Sequence, residues 1–259
     1  SDRLVGSEMC IRDRIKGIEQ ICARANIEPS SITKIVHGTT VVTNACIEMK
    51  GAKVGLLTTQ GFRDILEIGR GRLPAVLDLS WEKPPPLVPR YLRREVIERI
   101  DGNGKVKEHL DHESVEVAVK NLLDENIESI AVCLINSPAN PIHEIAVSKI
   151  IKHLAPNIPL SISTEVMPMY SEYERTSEVT LNAYVMPLVK QYLTSLKQEL
   201  KSIGISAPLY IMQSNGGMTT PENAMARPIE IIECGHAAGV VGATRLYDHS
   251  HSSVITCDM

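Results

Sequence analysis

Residues 129–135 read Ser-Ile-Ala-Val-Cys-Leu-Ile, 136–141 read Asn-Ser-Pro-Ala-Asn-Pro, 142–154 read Ile-His-Glu-Ile-Ala-Val-Ser-Lys-Ile-Ile-Lys-His-Leu, and 160–163 read Leu-Ser-Ile-Ser. The first run is apolar without alternation, the pattern of a strand covered on both faces of a parallel sheet. A Pro-bearing turn follows, then a segment with Ile145, Ala146, Ile150 and Ile151 at helical spacing, then a second short apolar run. Strand, helix and strand in succession predict right-handed crossovers and an α/β sheet.

Upstream, residues 53–59 (KVGLLTT) read as another buried strand, and its exit through Gly61 leads into a helix carrying Ile65, Leu66 and Ile68. Gly69, Gly71, Pro74 and Pro84 to Pro86 mark a long irregular crossing, with Arg63, Arg70 and Arg72 close together; they read either as anion contacts or as solvated surface arginines. Residues 91–100 are strand-like, and Asp101-Gly102-Asn103-Gly104 is a hairpin signal. The sequence His109-Leu110-Asp111-His112 has no partner at zinc-site spacing, and Asp111 or His112 falls where a helix N-cap is wanted. Residues 15–25 read as an amphipathic helix with Ile15, Ile18, Ile21 and Cys22 on one face, whereas 1–14 show no periodicity and are expected to be a leader foreign to the gene.

Residues 34–45 (KIVHGTTVVTNA) are a short strand, a polar turn and a helix start. At such a junction free backbone N–H groups and Thr hydroxyls converge and favour an anion. Gly38 would allow close approach, and Thr39 or Thr40 could cap the helix. An ordinary Thr-capped turn explains the same residues and is commoner. Two later stretches look similar. Residues 208–212 form a strand ending in Gln213-Ser214-Asn215-Gly216-Gly217, and residues 234–243, with Gly235, Gly239 and Gly242, open a helix whose backbone expects close neighbours. Between them, 170–200 have helical spacing that Pro187 should kink or split, its polar start (Glu172, Glu174, Arg175) being either a site or an exposed first turn; this region is expected to divide two lobes. Residues 229–232 and 253–259 read as strands, the last ending at Asp258.

Composition sets the classes. With 259 residues, 43% hydrophobic and 22% charged, the chain reads as a soluble globular protein. A net charge of -4 and 3% aromatics argue against nucleic-acid binding. The six cysteines are scattered, as in a reducing compartment, and no apolar run approaches membrane-spanning length; a cytoplasmic protein is expected. Polar turns at the carboxyl ends of strands in an α/β fold collect at a crevice, which predicts phosphate or small-acid binding.

Several stretches together resemble the hydantoinase A / 5-oxoprolinase family: residues 37–70 (HGTTVVTNACIEMKGAKVGLLTTQGFRDILEIGR), 84–90 (PPPLVPR), 94–106 (REVIERIDGNGKV), 172–185 (EYERTSEVTLNAYV), 212–218 (MQSNGGM), 236–243 (HAAGVVGA) and 254–259 (VITCDM). The resemblance runs in order from about residue 15 to 259. It implies an actin-like (ribonuclease-H-like) ATPase architecture, incomplete at both ends, with an N-terminal region over 15–180 and the start of the ATPase domain over 181–259. It implies ATP and Mg²⁺ as cofactors, with Asp258 approaching the metal-nucleotide. His37, Gly38, Thr39, Thr40 and Asn44 match the family's first-lobe loop, Asn215, Gly216 and Gly217 its second-lobe turn, and Gly239 lies on the helix expected to pack at the cleft. The family usually has Ser-Gly-Pro where this chain has Cys234-Gly235-His236; a tolerated Ser-to-Cys change is the expected reading, although a Cys beside a His also invites a nucleophile.

The resemblance implies ATP-dependent opening of a cyclic amide of 5-oxoproline or hydantoin type, with phosphorylation of the ring oxygen, and a hydantoinase B-like partner. Alternatives are the ATP-using subunit of an acetone- or acetophenone-type carboxylase and a non-catalytic actin-like ATPase that reactivates a partner enzyme. As the expected phosphate loops lie outside these residues, the chain by itself is expected to hydrolyse no ATP.

Overall fold

The computed structural model describes residues 5–71, 80, 82–246 and 255–256. Helix α1 spans Val5–Ala25, and β1 (Ile35–His37) and α2 (Val41–Ile47) follow. Then come β2 (Val54–Thr59), α3 (Ile65–Ile68), β3 (Arg93–Val96), β4 (Arg99–Ile100), β5 (Val106–Glu108), α4 (His112–Asp124) and β6 (Ser129–Cys133). The remainder is α5 (Ile142–Leu154), β7 (Leu160–Ile162), α6 (Ser163–Val166), α7 (Glu172–Ser202), β8 (Leu209–Met212), β9 (Met218–Thr219), α8 (Pro221–Ala226) and α9 (Cys234–Leu246). The chain forms an α/β fold in two compact units, one made of Ser1–Gly51 with Leu188–Met259 and the other of Ala52–Pro187.

The contiguous unit holds a four-stranded sheet in the order β3-β2-β6-β7, parallel throughout. Strands β2 and β6 are buried along their whole length, as unalternated apolar runs require. Helix α4 packs Val115, Val119 and Leu122 inward, and α5 packs Val147 and Ile151. Gly55 lets α4 come close: a Cβ there would lie 2.9 Å from Leu122 Cδ1 and 3.0 Å from Ile127 Cδ1. The expected hairpin forms between β4 and β5, its turn closed by Asp101 accepting from the N–H groups of Asn103 and Lys105 at 2.9 Å. Asp111 caps α4, accepting from the N–H groups of Glu113 and Ser114.

In the discontinuous unit β1 pairs parallel with β8, His37 opposite Ile211, and β9 pairs antiparallel with β8. Buried side chains from α1 (Ile11, Ile15, Cys22), α2 (Val42, Ala45) and the end of α7 (Leu193, Leu196) build its core.

Several local expectations are corrected. Helix α1 starts at Val5 rather than at residue 15, and its buried side chains Ile11, Ile15 and Cys22 recur at helical spacing while Ile21 faces solvent. Pro187 does not split α7: one helix runs from Glu172 to Ser202, and buried Val185, Val189 and Leu193 around the proline compensate for the missing N–H. Residues 91–100 are not one strand; a 3₁₀ turn over Arg90–Leu92 precedes β3 and β4. Pro228–Ile231 is a 3₁₀ helix instead of a strand, since Pro starts it and too few residues remain to pair. Asp258, Arg72, Pro74 and most of the terminal strand expected over 253–259 lie outside the described residues.

Candidate functional site

The parallel pairing of β1 and β8 puts the two Gly-bearing turns, 38–40 and 213–217, at the same end of neighbouring strands. Helix α9 lies against both. A Cβ on Gly38 would sit 3.4 Å from Ala238 Cβ, one on Gly235 3.3 Å from Thr40 Cγ2, and one on Gly216 3.3 Å from Val241 Cγ2. Gly216 has φ +83°, the left-handed region that a glycine occupies without strain. The small residues of α9 therefore face the loops at Gly235 and Ala238, whereas Gly239 faces open space.

The link between loop and helix is a thiol. Thr39 N–H donates to Cys234 Sγ at 3.3 Å, and the Cys234 S–H donates back to the Thr39 carbonyl at 3.0 Å. Thr43 Oγ1 adds a bond to the Ile232 carbonyl. Cys234 is fully buried, and burial raises its thiol pKa, the setting of a structural rather than a reactive thiol.

Neither Thr39 nor Thr40 caps α2 in the usual way; Thr39 Oγ1 accepts from Val41 N–H at 3.3 Å instead. The N–H groups of Gly216 and Gly217 also have internal acceptors, the Gln213 carbonyl and Asn215 Oδ1. Exposed on this loop are the Thr40 hydroxyl and the Asn44 amide, which donates to it at 3.4 Å. His37 closes β1 with Nε2 2.9 Å from the Tyr192 hydroxyl and 3.2 Å from Arg14 Nη1. Burial first, and the Arg14 charge second, depress its pKa to about 4, so its ring is neutral at pH 7.

The contiguous unit carries a groove of about 660 Å³ between the start of α3 and the first turn of α7. Here two sets of residues that the sequence left open come together: Arg70 Nε binds Glu174 Oε1 at 2.5 Å, while Ser171 donates to the other oxygen. The Ser171 hydroxyl first, then the Glu174 backbone and Arg70, hold the Glu174 pKa at about 2. Asp64, also on the groove, is gripped by Arg90 through bonds of 2.8 and 3.0 Å, which lower its pKa.

Two buried polar clusters were missed in the sequence. Glu144 accepts from Leu134 N–H (2.9 Å), Ser163 (2.6 Å) and Thr164 N–H (3.0 Å), and Arg175 Nη1 donates to the same Ser163 at 2.8 Å. Both charges are fully buried, and among the described residues Arg175 Nε and Nη2 have no hydrogen-bond partner. Glu98 accepts from Thr59 and binds His143 Nδ1 at 2.7 Å. The signal was present: Glu144, Val147, Ser148 and Ile151 recur at helical spacing, and the structure buries this stripe while Ile145 stays exposed. A carboxylate on such a stripe demands a buried donor set. Among the described residues no group of three His, Cys, Asp or Glu side chains could hold a metal.

Residues 7–155 match the sequence profile of the hydantoinase/oxoprolinase N-terminal region, and residues 175–259 match the hydantoinase/oxoprolinase profile. The chain belongs to the hydantoinase/oxoprolinase family. It is 40% identical over 84% of its length to an uncharacterized protein of Methanocaldococcus jannaschii, of which it covers 32%. It is 32% identical over 94% of its length to the caprolactamase subunit alpha of Pseudomonas jessenii, of which it covers 36%. The solved structure of the ATP-dependent caprolactamase from that organism superposes with a TM-score of 0.80 at 31% identity, covering 91% of this chain and 35% of that one. A nucleotide-free acetone carboxylase structure gives a TM-score of 0.70 at 28% identity, covering 82% of this chain and 31% of that one. Measured against the first of these relatives, this hydantoinase/oxoprolinase chain spans about a third of their length.

The family's implied nucleotide can be tested against these residues. The loops offer side-chain donors, Thr40 and Asn44, but most of their backbone donors named above are engaged internally. They fit a polar contact to phosphate and supply no complete backbone cradle. No described cluster fits Mg²⁺, and Asp258 lies outside the described residues. No helix among the described residues is long and apolar enough to cross a membrane.

Proposed function

We propose that this chain is the nucleotide-handling part of an enzyme that uses ATP to open a cyclic amide. The observation that carries this reading is the likeness, over nine-tenths of the chain, to a structure described as an ATP-dependent caprolactamase. The chemistry gives a reason for ATP. An amide C–N bond is strengthened by resonance, and a ring amide resists hydrolysis. Phosphorylating the ring oxygen removes that resonance and makes the ring carbon electrophilic. Water adds there, the C–N bond breaks as the nitrogen takes up a proton, and a second water hydrolyses the resulting acyl phosphate to the amino acid and phosphate.

In this reading Thr40 and Asn44 contact phosphate, and residues 215–217 line the neighbouring turn. Cys234 and the small residues of α9 hold the first loop in place, and Asp258 approaches the metal. His37 stays neutral beneath the loop, beside the Arg14 guanidinium. A hydantoinase B-like subunit completes the site. A second reading, the ATP-using subunit of a ketone carboxylase, draws on the likeness to acetone carboxylase.

The test is the full-length protein, assayed for ADP release with ε-caprolactam, hydantoin, 5-oxoproline, and acetone with bicarbonate. Stimulation by a ring amide is expected. Stimulation by acetone and bicarbonate alone would favour the carboxylase, and ADP release indifferent to every substrate would end both readings.

A further inference from the structure

The groove between α3 and α7 has a lining that combines an apolar wall with polar groups. Its volume of about 660 Å³ is that of a small-molecule site. Phe62, Ile65 and Ile68 form an apolar wall, with Ile68 69% exposed although it is large and aliphatic. The Tyr173 ring completes that wall and lies against Gly69, where a Cβ would sit 3.6 Å from it. Gly69 has φ +59° and ψ −136°, a conformation that only glycine adopts without strain. The atom nearest that Cβ position is Lys83 Nζ, at 3.2 Å.

On the polar side, Arg70 commits Nε to Glu174 and, among the described residues, leaves its terminal N–H groups free; its side chain is 64% exposed. The Glu172 carboxylate accepts no hydrogen bond from the described residues, unlike Glu174 and Asp64, whose charges are met by Arg70 and Arg90. The groove thus presents a spare donor fork and a spare acceptor beside an aromatic and aliphatic wall, with the Arg99 guanidinium stacked on Phe62 and Lys83 Nζ close to Gly69.

A ring amide matches this set. Ring closure holds its C=O and N–H on one edge, one accepting and one donating, with an apolar body behind them. We infer that this groove is a binding site for an uncharged cyclic amide, with Arg70 donating to the carbonyl, Glu172 accepting the amide N–H, and the Phe62–Tyr173 wall covering the ring. The inference rests on the proposed function for its choice among small ligands and goes beyond it in placing the ligand. It also orders the substrates. Glu172 repels a ring that bears its own carboxylate, so 5-oxoproline binds more weakly than ε-caprolactam.

Equilibrium dialysis of ε-caprolactam and of 5-oxoproline against the full-length protein without nucleotide tests it, with wild type, Arg70→Met and Glu172→Gln compared. Among the described residues Glu172 makes no side-chain hydrogen bond, so Glu172→Gln keeps the fold even where Arg70→Met, which breaks the Glu174 pair, does not. Saturable caprolactam binding is expected, weakened about tenfold or more by either variant, as loss of one such contact implies. Glu172→Gln is also expected to narrow the gap between the two ligands. No saturable binding, equal binding by the variants, or 5-oxoproline binding as tightly as caprolactam would overturn the inference. ADP release measured on the same preparations separates the two claims. Lactam turnover with a KM unmoved by either variant removes the groove and keeps the function. Variant-sensitive binding without lactam-stimulated ADP release removes the function and keeps the groove.

Discussion

At the scale of single residues, the thiol of Cys234 is the contact that decides how the 38–40 loop is held. It serves both polar groups of one buried peptide unit, the N–H and the carbonyl of Thr39. Ser in its place supplies the same donor and acceptor; Ala supplies neither and leaves both groups of a buried residue unmet. Cys234→Ala should therefore cost about 1–3 kcal/mol in urea unfolding and speed exchange of the Thr39 amide, while Cys234→Ser stays near wild type. Equal stability of the two variants would show that the thiol contributes only bulk. The sequence marked Cys234 as a departure from the family pattern, but its partner lies 195 positions away, and no local pattern encodes that pairing. The same holds for Arg175 and Glu144: Arg175 read only as part of a polar helix start, Glu144 was not singled out, and the fold brings the two within 3.8 Å.

At the scale of elements, the strands and helices of the contiguous unit were legible because their apolar periodicities are strong. Strand β6 and helices α4 and α5 stand where the patterns place them. What periodicity does not convey is clearance between layers. Gly55 reads as a weakness inside a strand, yet its missing Cβ is the space that Leu122 and Ile127 fill. Gly55→Ala should destabilise the protein by about 1–3 kcal/mol, since both neighbours are packed in the core. Denaturant unfolding measures this; a neutral result would mean that α4 shifts freely on the sheet. Pro187 shows the converse. Local propensity argued for a break in α7, and tertiary burial on both sides of the proline overrode it.

At the scale of the whole molecule, the chain order and the compact units differ. Residues 52–187 contain an entire parallel sheet and the helices packed on it, in one uninterrupted stretch. Produced alone, this stretch should fold and unfold as a single cooperative transition, followed by circular dichroism on heating. A gradual, non-cooperative melt would show that its core needs the rest of the chain. The other unit takes strands β1 and β8 from opposite ends of the sequence, so neither end builds that sheet by itself.

The sequence by itself determined the α/β class, the family, the hairpin at 101–104, a helix cap at Asp111 or His112 and the two Gly-bearing turns, because each depends on residues close together in the chain. Tertiary structure alone decided that those turns share one end of a sheet under α9, that Arg70 meets Glu174 in a groove, and that Glu144 and Arg175 are buried together. The physical reason is that hydrogen bonds, ion pairs and contact surfaces act between neighbours in space, and a sequence read locally carries only the neighbours it has along the chain.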